Sequence, residues 1–312
     1  MRILVVGAGA VGGYFGGRLL EAGRDVTFLV RPKRAAELAA HGLTIKSSFG
    51  DAAMPAPPTI LTENLQAAFD LIVLSCKAYD LDGAIASFAP AVGARTAILP
   101  LLNGLRHLDM LVERFGSDRV LGGQCVIAST LGENGAIRHL NQNHELSFGE
   151  RDGVLSDRVR AIAEMMTGAR FTARASEHIL LEMWEKWAFL ATLAGCTCLM
   201  RAAVGDVVQS PRGTEFALAL LDECVSIARA NGQAPRAAYL ERSRAVLTAA
   251  GSDFTASMLR DIESRAPIEA DHILGDLIRR GRREGADVGP IPLLDIAYLH
   301  LKAYEARRAR MK

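Results

Sequence analysis

Apolar and polar positions follow two different patterns along the chain, and the change comes just past its middle. In the first half, short apolar runs rich in β-branched residues alternate with amphipathic segments, which is typical of buried parallel strands joined by helices. Four apolar runs predict strands, at residues 2–6, 25–30, 70–75 and 96–100. Three amphipathic segments predict helices, at residues 14–21, 35–40 and 80–88.

Weaker patterns fill the rest of the first half. Residues 52–59 contain three prolines and predict a loop. Residues 119–129 and 136–148 alternate in shorter runs separated by Gly and Asn, and they predict added strands that complete the first domain.

From about Ser176 onward the apolar spacing is helical. Apolar residues recur at this spacing in five segments, which are 177–200, 214–230, 236–249, 268–280 and 293–308. Boundary residues agree, since Ser210-Pro211 and Pro267 are suited to open helices and Gly232 is suited to close one. No strand pattern of similar strength occurs in this half of the sequence.

The two patterns together predict an α/β protein. Its N-terminal part is expected to be a Rossmann-type doubly wound parallel sheet over residues 1–173, followed by an all-helical C-terminal domain over residues 174–312.

A glycine motif, Gly-Ala-Gly-Ala-Val-Gly, lies between the first predicted strand and the first predicted helix. In this context Gly7 permits a tight turn, Gly9 lets the backbone approach a pyrophosphate, and Gly12 lets the helix pack close to the strand. The helix N-terminus then favours an anion. We therefore predict dinucleotide binding by the motif, which comprises Gly7, Ala8, Gly9, Ala10, Val11 and Gly12. A purely structural strand–turn–helix unit is the alternative.

The end of the second predicted strand indicates which dinucleotide is bound. NAD sites usually place an Asp or Glu there, which accepts a hydrogen bond from the ribose 2′-hydroxyl. This chain has Arg31, followed by Pro32, Lys33 and Arg34. An arginine pairs well with a 2′-phosphate, so we predict NADP(H) as the cofactor. A solvated basic loop is the alternative.

The overall composition excludes several classes of partner. The 312 residues are 50% hydrophobic and carry a formal net charge of +1, which gives no electrostatic basis for binding nucleic acid or an anionic membrane. Five scattered cysteines and seven histidines without ligand spacing lead us to expect no disulfide framework, no metal site and a cytoplasmic location. The N-terminal apolar run is short and no run approaches the ~20 residues of a membrane span, so we expect neither a signal peptide nor a membrane helix.

Lys186 is a candidate catalytic residue because of its neighbours. It lies within a predicted helix, and the only two tryptophans of the chain, Trp184 and Trp187, flank it. Partial desolvation beside such bulky rings would lower the pKa of the lysine toward catalytic use. A surface lysine paired with Glu182 is the alternative.

Several stretches resemble the ketopantoate reductase (2-dehydropantoate 2-reductase) family, and the resemblance covers essentially the whole chain. Besides the glycine motif, the matching stretches are Leu74-Ser-Cys-Lys77-Ala-Tyr79, Leu102-Asn103-Gly104, Trp184-Glu-Lys186, Ser257-Met-Leu-Arg-Asp-Ile262 and Glu269-Ala-Asp-His-Ile273. The resemblance implies an NADP-dependent oxidoreductase that reduces a 2-keto acid to a 2-hydroxy acid. Within the family this is the conversion of 2-dehydropantoate to pantoate in pantothenate biosynthesis, and members are often homodimers.

The resemblance also implies a role for each matching position. Lys186 corresponds to the general acid that protonates the carbonyl oxygen, and Glu269 to a carboxylate that binds substrate and positions this proton transfer. Ser257 corresponds to a substrate-contacting hydroxyl, while Asn103 and Lys77 correspond to polar residues between nicotinamide and substrate. Local rules offer alternatives: Asn103 in an ordinary turn, Ser257 as a helix N-cap and Glu269 as a first-turn acid.

The chain departs from the family on the helix of Lys186. The family usually has asparagines four and eight residues after the lysine, facing the substrate, whereas this chain has Leu190 and Ala194. The spacing keeps the three residues on roughly one helix face, so the wall that faces the substrate is expected to lack two amide groups. Three nearby residues are candidates for compensation, namely Thr192, Cys196 and Thr197.

Two other functions compete with reduction of 2-dehydropantoate. A site without the amides would suit a related reductase for a less polar 2-keto acid. A sensor that binds NADP(H) without turnover is the second alternative, although sensing alone requires neither Lys186 nor Ser257 nor Glu269.

Overall fold

The computed structural model of the protein describes residues 1–286 and 288–311; Lys312, the last residue of the predicted second domain, lies outside them. The chain forms two compact units. The N-terminal unit comprises Met1–Leu102 and His107–Ile179, and the C-terminal unit comprises Asn103–Arg106 and the chain from Leu180 onward. This division falls later than the predicted boundary at residues 173/174, because residues 172–175 form a strand in a sheet of the N-terminal unit.

Among the residues that the structure describes, every strand belongs to the N-terminal unit. They are β1 (Arg2–Val6), β2 (Asp25–Leu29), β3 (Leu43–Lys46), β4 (Ala52–Met54), β5 (Thr59–Ile60), β6 (Leu71–Leu74), β7 (Ala97–Pro100), β8 (Gly122–Leu131), β9 (Ile137–Gly149) and β10 (Thr172–Ala175). The α-helices are α1 (Ala10–Glu21), α2 (Pro32–His41), α3 (Leu81–Phe88), α4 (Arg106–Phe115), α5 (Asp157–Met166), α6 (Ile179–Met200), α7 (Val204–Gln209), α8 (Gly213–Ala230), α9 (Ala237–Leu247), α10 (Ser257–Glu263), α11 (Asp276–Gly281) and α12 (Pro292–Arg310).

The first sheet has five parallel strands in the order β5-β2-β1-β6-β7. The central strand β1 places Val5 opposite Phe28 of β2 and opposite Val73 of β6. Every residue of β6 and β7 is buried, which explains why these strands are continuous apolar runs. The predicted fold class, a Rossmann-type parallel sheet followed by a helical region, is confirmed.

A second sheet lies in the same unit, with the order β10-β9-β3-β4 and with β8 paired to β9. The predicted added strands are its β8 and β9. The loop predicted at residues 52–59 is wrong at both ends, because β4 pairs antiparallel with β3 and β5 pairs with β2. Both strands are very short, and pairing with longer neighbours forms them despite the adjacent prolines.

The C-terminal unit is helical, and four of its five predicted helices correspond to α6, α8, α9 and α12. The fifth prediction, one helix over residues 268–280, is wrong in its first half. Asp271–Gly275 forms a π-helical turn that continues into α11. A π-turn inserts one residue per turn and leaves the apolar pattern nearly unchanged, so periodicity alone does not detect it. The pattern also missed α7 and α10 in this unit, and α4 and α5 earlier in the chain.

Within residues 1–286 and 288–311, no helix is long and apolar enough to cross a bilayer. The same residues contain no group of three His, Cys, Asp or Glu side chains arranged to hold a metal ion.

Candidate active site

The glycine motif forms the turn from β1 into α1. Gly7 has a φ of 95°, and α1 begins at Ala10 with Gly9 as its N-cap. A Cβ added to Gly12 would lie 2.0 Å from the Ser75 hydroxyl oxygen and 2.2 Å from the Gly7 carbonyl oxygen, so close packing requires this glycine. A Cβ added to Gly9 would meet no protein atom within 4 Å. Packing of the protein therefore does not explain Gly9, whereas close approach of a pyrophosphate does.

The rest of the motif fits a dinucleotide as well. Ala8 is buried, and the side chains of Ala10 and Val11 are half-buried in the first turn of α1. The first N–H groups of an α-helix have no partner within the helix, and together with the helix dipole they attract a phosphate. The six motif residues therefore lie in one turn whose geometry suits a pyrophosphate.

Arg34 fixes this turn, a role that its position in a basic run did not indicate. Its guanidinium donates hydrogen bonds to the carbonyl oxygens of Ala8, at 3.0 Å, and Gly135, at 3.1 Å. It also forms an ion pair with Glu37 at 3.0 Å, and its side chain is largely buried. Arg34 thus ties the glycine turn to α2 and to the turn between β8 and β9.

Arg31 is the N-cap of α2 and lies two residues after the end of β2. Its side chain is 74% exposed, and one guanidinium nitrogen lies 2.7 Å from a carboxylate oxygen of Asp80. This ion pair raises the pKa of Arg31. Lys77, the other predicted cofactor residue of this unit, is half-buried at the start of the short turn that follows β6.

The remaining predicted site residues all lie in the C-terminal unit, including Asn103, which directly follows the N-terminal unit at Leu102. Asn103 is half-buried, and Gly104 has a φ of 76°. A Cβ on Gly104 would lie 2.9 Å from the His272 ring and 3.0 Å from the His272 carbonyl oxygen. The imidazole of His272 also hydrogen-bonds the Asn103 backbone. The turn is therefore packed directly against the segment that follows Glu269.

His272 was missed by sequence reasoning, because a lone histidine in a helical pattern carries no signal of its own. Burial lowers the pKa of this imidazole, and the positive charge of Arg106 acts in the same direction. The negative charges of Glu269 and Asp276 and the hydrogen bond to Asn103 act in the opposite direction. Burial prevails, which favours the neutral ring.

Lys186 lies on α6 and is half-buried. Trp184 and Trp187 are 6% and 1% exposed, and their ring centroids are 5.0 Å apart. Glu182, the partner in the surface-lysine interpretation, is itself buried. The indole N–H of Trp187 donates to the Ile273 carbonyl oxygen at 2.8 Å, which joins the helix of Lys186 to the π-helical turn.

Glu185, next to Lys186, anchors α6 a second time. It is 1% exposed and accepts hydrogen bonds from the Arg236 backbone N–H at 2.8 Å and from its Nε at 2.9 Å. Since Arg236 is the N-cap of α9, this pair fixes α6 against that helix. A buried carboxylate needs such a partner, so the contact also satisfies the charge of Glu185.

Ser257 and Glu269 lie on either side of a short connection. Ser257 is exposed and is the first residue of α10, whose N-cap is Ala256, so the N-cap interpretation of Ser257 is wrong. The backbone N–H of Ala256 donates to the Thr197 hydroxyl at 3.3 Å, which attaches the start of α10 to α6. Glu269 is half-buried and precedes the π-helical turn.

Leu190 is half-buried and Ala194 is 3% exposed, one and two turns after Lys186 on α6. Two of the residues proposed to compensate for the missing amides are used locally. The hydroxyls of Thr192 and Thr197 are buried and donate to carbonyl oxygens of α6 itself, at 2.8 and 2.7 Å. Burial raises the pKa of Cys196 to about 11, so its thiol is neutral at ordinary pH. These three side chains do not restore two amides.

Comparison with known proteins identifies the family. Residues 3–153 match the family model described as ketopantoate reductase PanE/ApbA, and residues 178–305 match its C-terminal counterpart. The chain belongs to the ketopantoate reductase family. It is therefore related to oxidoreductases, and the resemblance read from its motifs is confirmed.

Individual relatives match this chain along nearly all of their length. An uncharacterized oxidoreductase, YkpB of Bacillus subtilis, is 37% identical over 308 residues, which cover 99% of this chain and 100% of that protein. The crystal structure of 2-dehydropantoate 2-reductase from Methylococcus capsulatus has a TM-score of 0.87 at 27% identity and covers 99% of this chain and 98% of that one. The ternary structure of D-mandelate dehydrogenase with NADH and anilino(oxo)acetate has a TM-score of 0.85 at 20% identity and covers 99% of this chain and 100% of that one. At this low identity the likeness shows the fold alone.

Proposed function

We propose that this protein is an NADPH-dependent reductase that converts a 2-keto acid to a 2-hydroxy acid. One observation carries the proposal: four family positions, Asn103, Lys186, Ser257 and Glu269, fall in the same compact unit although Asn103 is far from the others in sequence. Contacts of His272 with the turn at Asn103 account for this grouping. A cofactor sensor without turnover would require none of this arrangement.

The glycine turn would hold the pyrophosphate of the cofactor, and Arg31 would bind the 2′-phosphate. Open space above Gly9 and the exposed guanidinium of Arg31 support these roles. Lys77 and Asn103, each just past the end of a parallel strand, complete the proposed cofactor contacts. When bound, the nicotinamide supplies the hydride for the ketone carbon.

Lys186 would donate a proton to the oxygen of the ketone as negative charge develops there. Glu269 would hold the substrate and orient that ammonium group, while Ser257 and Asn103 would hydrogen-bond the carboxylate or carbonyl without adding charge. The tight packing of Trp187 supports this assignment, because a catalytic group must be held within a fraction of an ångström.

Ketopantoate is our first choice of substrate, since the family and the relative from Methylococcus capsulatus bear that activity in their names. The second candidate is a 2-keto acid with a less polar tail. Leu190 and Ala194 favour it, because their side chains offer no hydrogen bond to a substrate hydroxyl. A shared fold does not decide this choice.

Two properties common in the family are part of the proposal. Pairing of two copies through the C-terminal unit would be visible as a dimer in size-exclusion chromatography with light scattering. A cytoplasmic location is supported by the cysteines, because none of the five, all of which lie among the described residues, forms a disulfide.

Steady-state oxidation of NADPH by the purified protein tests the proposal, with ketopantoate offered beside a panel of apolar-tailed 2-keto acids. Efficient turnover of ketopantoate would establish the family's activity despite Leu190 and Ala194. Faster turnover of an apolar keto acid would establish the related reductase. Binding of NADPH without turnover of any keto acid would overturn the reductase and support the sensor.

A further inference from the structure

The ion pair between Arg31 and Asp80 spans the centre of the parallel sheet. Arg31 follows β2 and Asp80 lies in the turn after β6, while β1 lies between these two strands. The pair therefore passes over the carboxyl end of β1, where the glycine turn begins. Any dinucleotide seated on that turn would place its adenosine ribose close to both side chains.

Asp80 contacts only part of the arginine. Its Oδ1 lies 2.7 Å from Nη2 of Arg31, a single contact where a guanidinium can offer two parallel donors. Both side chains are accessible, at 74% for Arg31 and 36% for Asp80. The arginine can thus bind a second anion while it keeps the contact to Asp80, and that anion would lie close to the Asp80 carboxylate.

We propose that Asp80 sets the preference between NADPH and NADH, an inference that rests on the proposed nicotinamide-dependent function. A 2′-phosphate carries nearly two negative charges, so the Asp80 carboxylate repels it and competes with it for Arg31. A ribose 2′-hydroxyl instead can donate a hydrogen bond to that carboxylate, as it does to the acidic residue of ordinary NAD sites. Arg31 thus favours NADPH, and Asp80 moderates the preference toward NADH.

The nearby Arg34 does not take over the role of Arg31. Arg34 is held by Ala8, Gly135 and Glu37, as described above, and its side chain is only 14% exposed. Asp80 is also the residue before α3, where Asn is as suitable as Asp. The substitution Asp80→Asn therefore removes the charge while it preserves the local fold.

The test measures dissociation constants of NADPH and NADH by calorimetry, without any keto acid, for the wild type, Asp80→Asn and Arg31→Gln. Asp80→Asn is expected to tighten NADPH binding about fivefold and to weaken NADH binding about twofold, the scale of one charge at an accessible site. Arg31→Gln is expected to weaken NADPH about tenfold with little effect on NADH.

The matched control is Asp51→Asn, because Asp51 forms an equally short, accessible ion pair with Lys46 in the same unit, at 2.7 Å. It should leave both dissociation constants unchanged. The role of Asp80 would be overturned if Asp80→Asn left the ratio of the NADPH and NADH dissociation constants unchanged, or if Asp51→Asn changed it equally. The proposed function would stand in either case. Failure of the wild type to bind either nucleotide would overturn the proposed function, and the inference with it.

Discussion

The indole N–H of Trp187 donates a hydrogen bond to the backbone carbonyl of Ile273, 2.8 Å away. It connects the helix that carries Lys186 to the π-helical turn that follows Glu269. Lys186, the proposed proton donor, and Glu269, which we propose to orient it, are thus positioned by neighbours that bond each other. Because single π-helical turns occur frequently at functional sites, this one agrees with the proposed role of Glu269.

Replacing Trp187 with Phe should loosen this connection, since Phe keeps an aromatic ring but has no N–H. We expect a loss of about 1–3 kcal/mol in the free energy of unfolding, because a buried carbonyl loses its donor. We also expect kcat to fall more than KM rises, since Lys186 is less well oriented. Urea unfolding and steady-state kinetics measure the two effects, with Trp184→Phe as the control. Equal kinetic effects of the two substitutions would contradict this account.

Two glycines of the same motif should respond differently to alanine. Gly9→Ala should change the free energy of unfolding by less than about 1 kcal/mol, because its Cβ meets no protein atom, yet it should weaken NADPH binding at least about tenfold. Gly12→Ala should lower stability by about 1–3 kcal/mol or more, because its Cβ would overlap Ser75 and Gly7. Calorimetric binding and urea unfolding distinguish the two. Normal NADPH affinity in Gly9→Ala would show that the cofactor does not approach this turn.

Leu190→Asn should restore an amide to the proposed substrate wall. We expect kcat/KM for ketopantoate to rise about tenfold relative to an apolar 2-keto acid, since a hydrogen bond to the substrate hydroxyl contributes on the order of 1 kcal/mol or more. Leu181→Asn is the matched control, because this leucine is also half-buried on α6 but lies about 140° around the helix from Lys186. A preference that is unchanged by Leu190→Asn, or changed equally by both, would place the substrate elsewhere.

Titration of His272 should make stability depend on pH. Its pKa is lowered in the folded protein, mainly by burial, whereas the unfolded chain takes up a proton near pH 6.5. At pH values between the lowered pKa of the folded protein and 6.5, the unfolded state binds more protons than the folded state. The free energy of unfolding therefore rises with pH in this window and falls as the pH is lowered through it.

His272→Gln removes this proton but keeps a donor for the Asn103 backbone. Urea unfolding measures how far the free energy of unfolding falls when the pH is lowered from about 7.5 to about 5.5. This fall should be roughly 1 kcal/mol smaller in the variant than in the wild type. His144 and His300, whose pKa values are also lowered by burial, titrate in both proteins and cancel in the comparison. Identical pH dependence of the two proteins would exclude His272 as the source.

Local sequence was sufficient to predict the parallel sheet and the glycine turn. The segments that form strands such as β1 and β6 are apolar on both faces, and residues suited to a turn follow them. It was insufficient for β4, whose three residues form a strand only because β3 offers them a partner. The π-helical turn escaped for a related reason, since one inserted residue changes hydrogen bonding more than it changes the spacing of apolar side chains.

Candidate residues with a proposed chemical role could be named from the sequence, whereas residues that position the backbone could not. Lys186 and Glu269 could be proposed from motifs, whereas Arg34 and His272 act through backbone carbonyls far away in sequence, at Ala8 and Asn103. Nothing in a single sequence pairs such positions. Asp80 was likewise predicted only as the start of a helix, and its contact with Arg31 emerged from the order of the strands.

The central claim, proton donation by Lys186 during reduction of a 2-keto acid, is tested most directly by the rate of NADPH oxidation in Lys186→Ala with the best keto acid of the panel. We expect kcat to fall about 100-fold or more while the dissociation constant of NADPH stays within about threefold of the wild type. Lys46→Ala, which removes an exposed lysine of the N-terminal unit, should keep the wild-type rate. Wild-type turnover by Lys186→Ala would contradict the account.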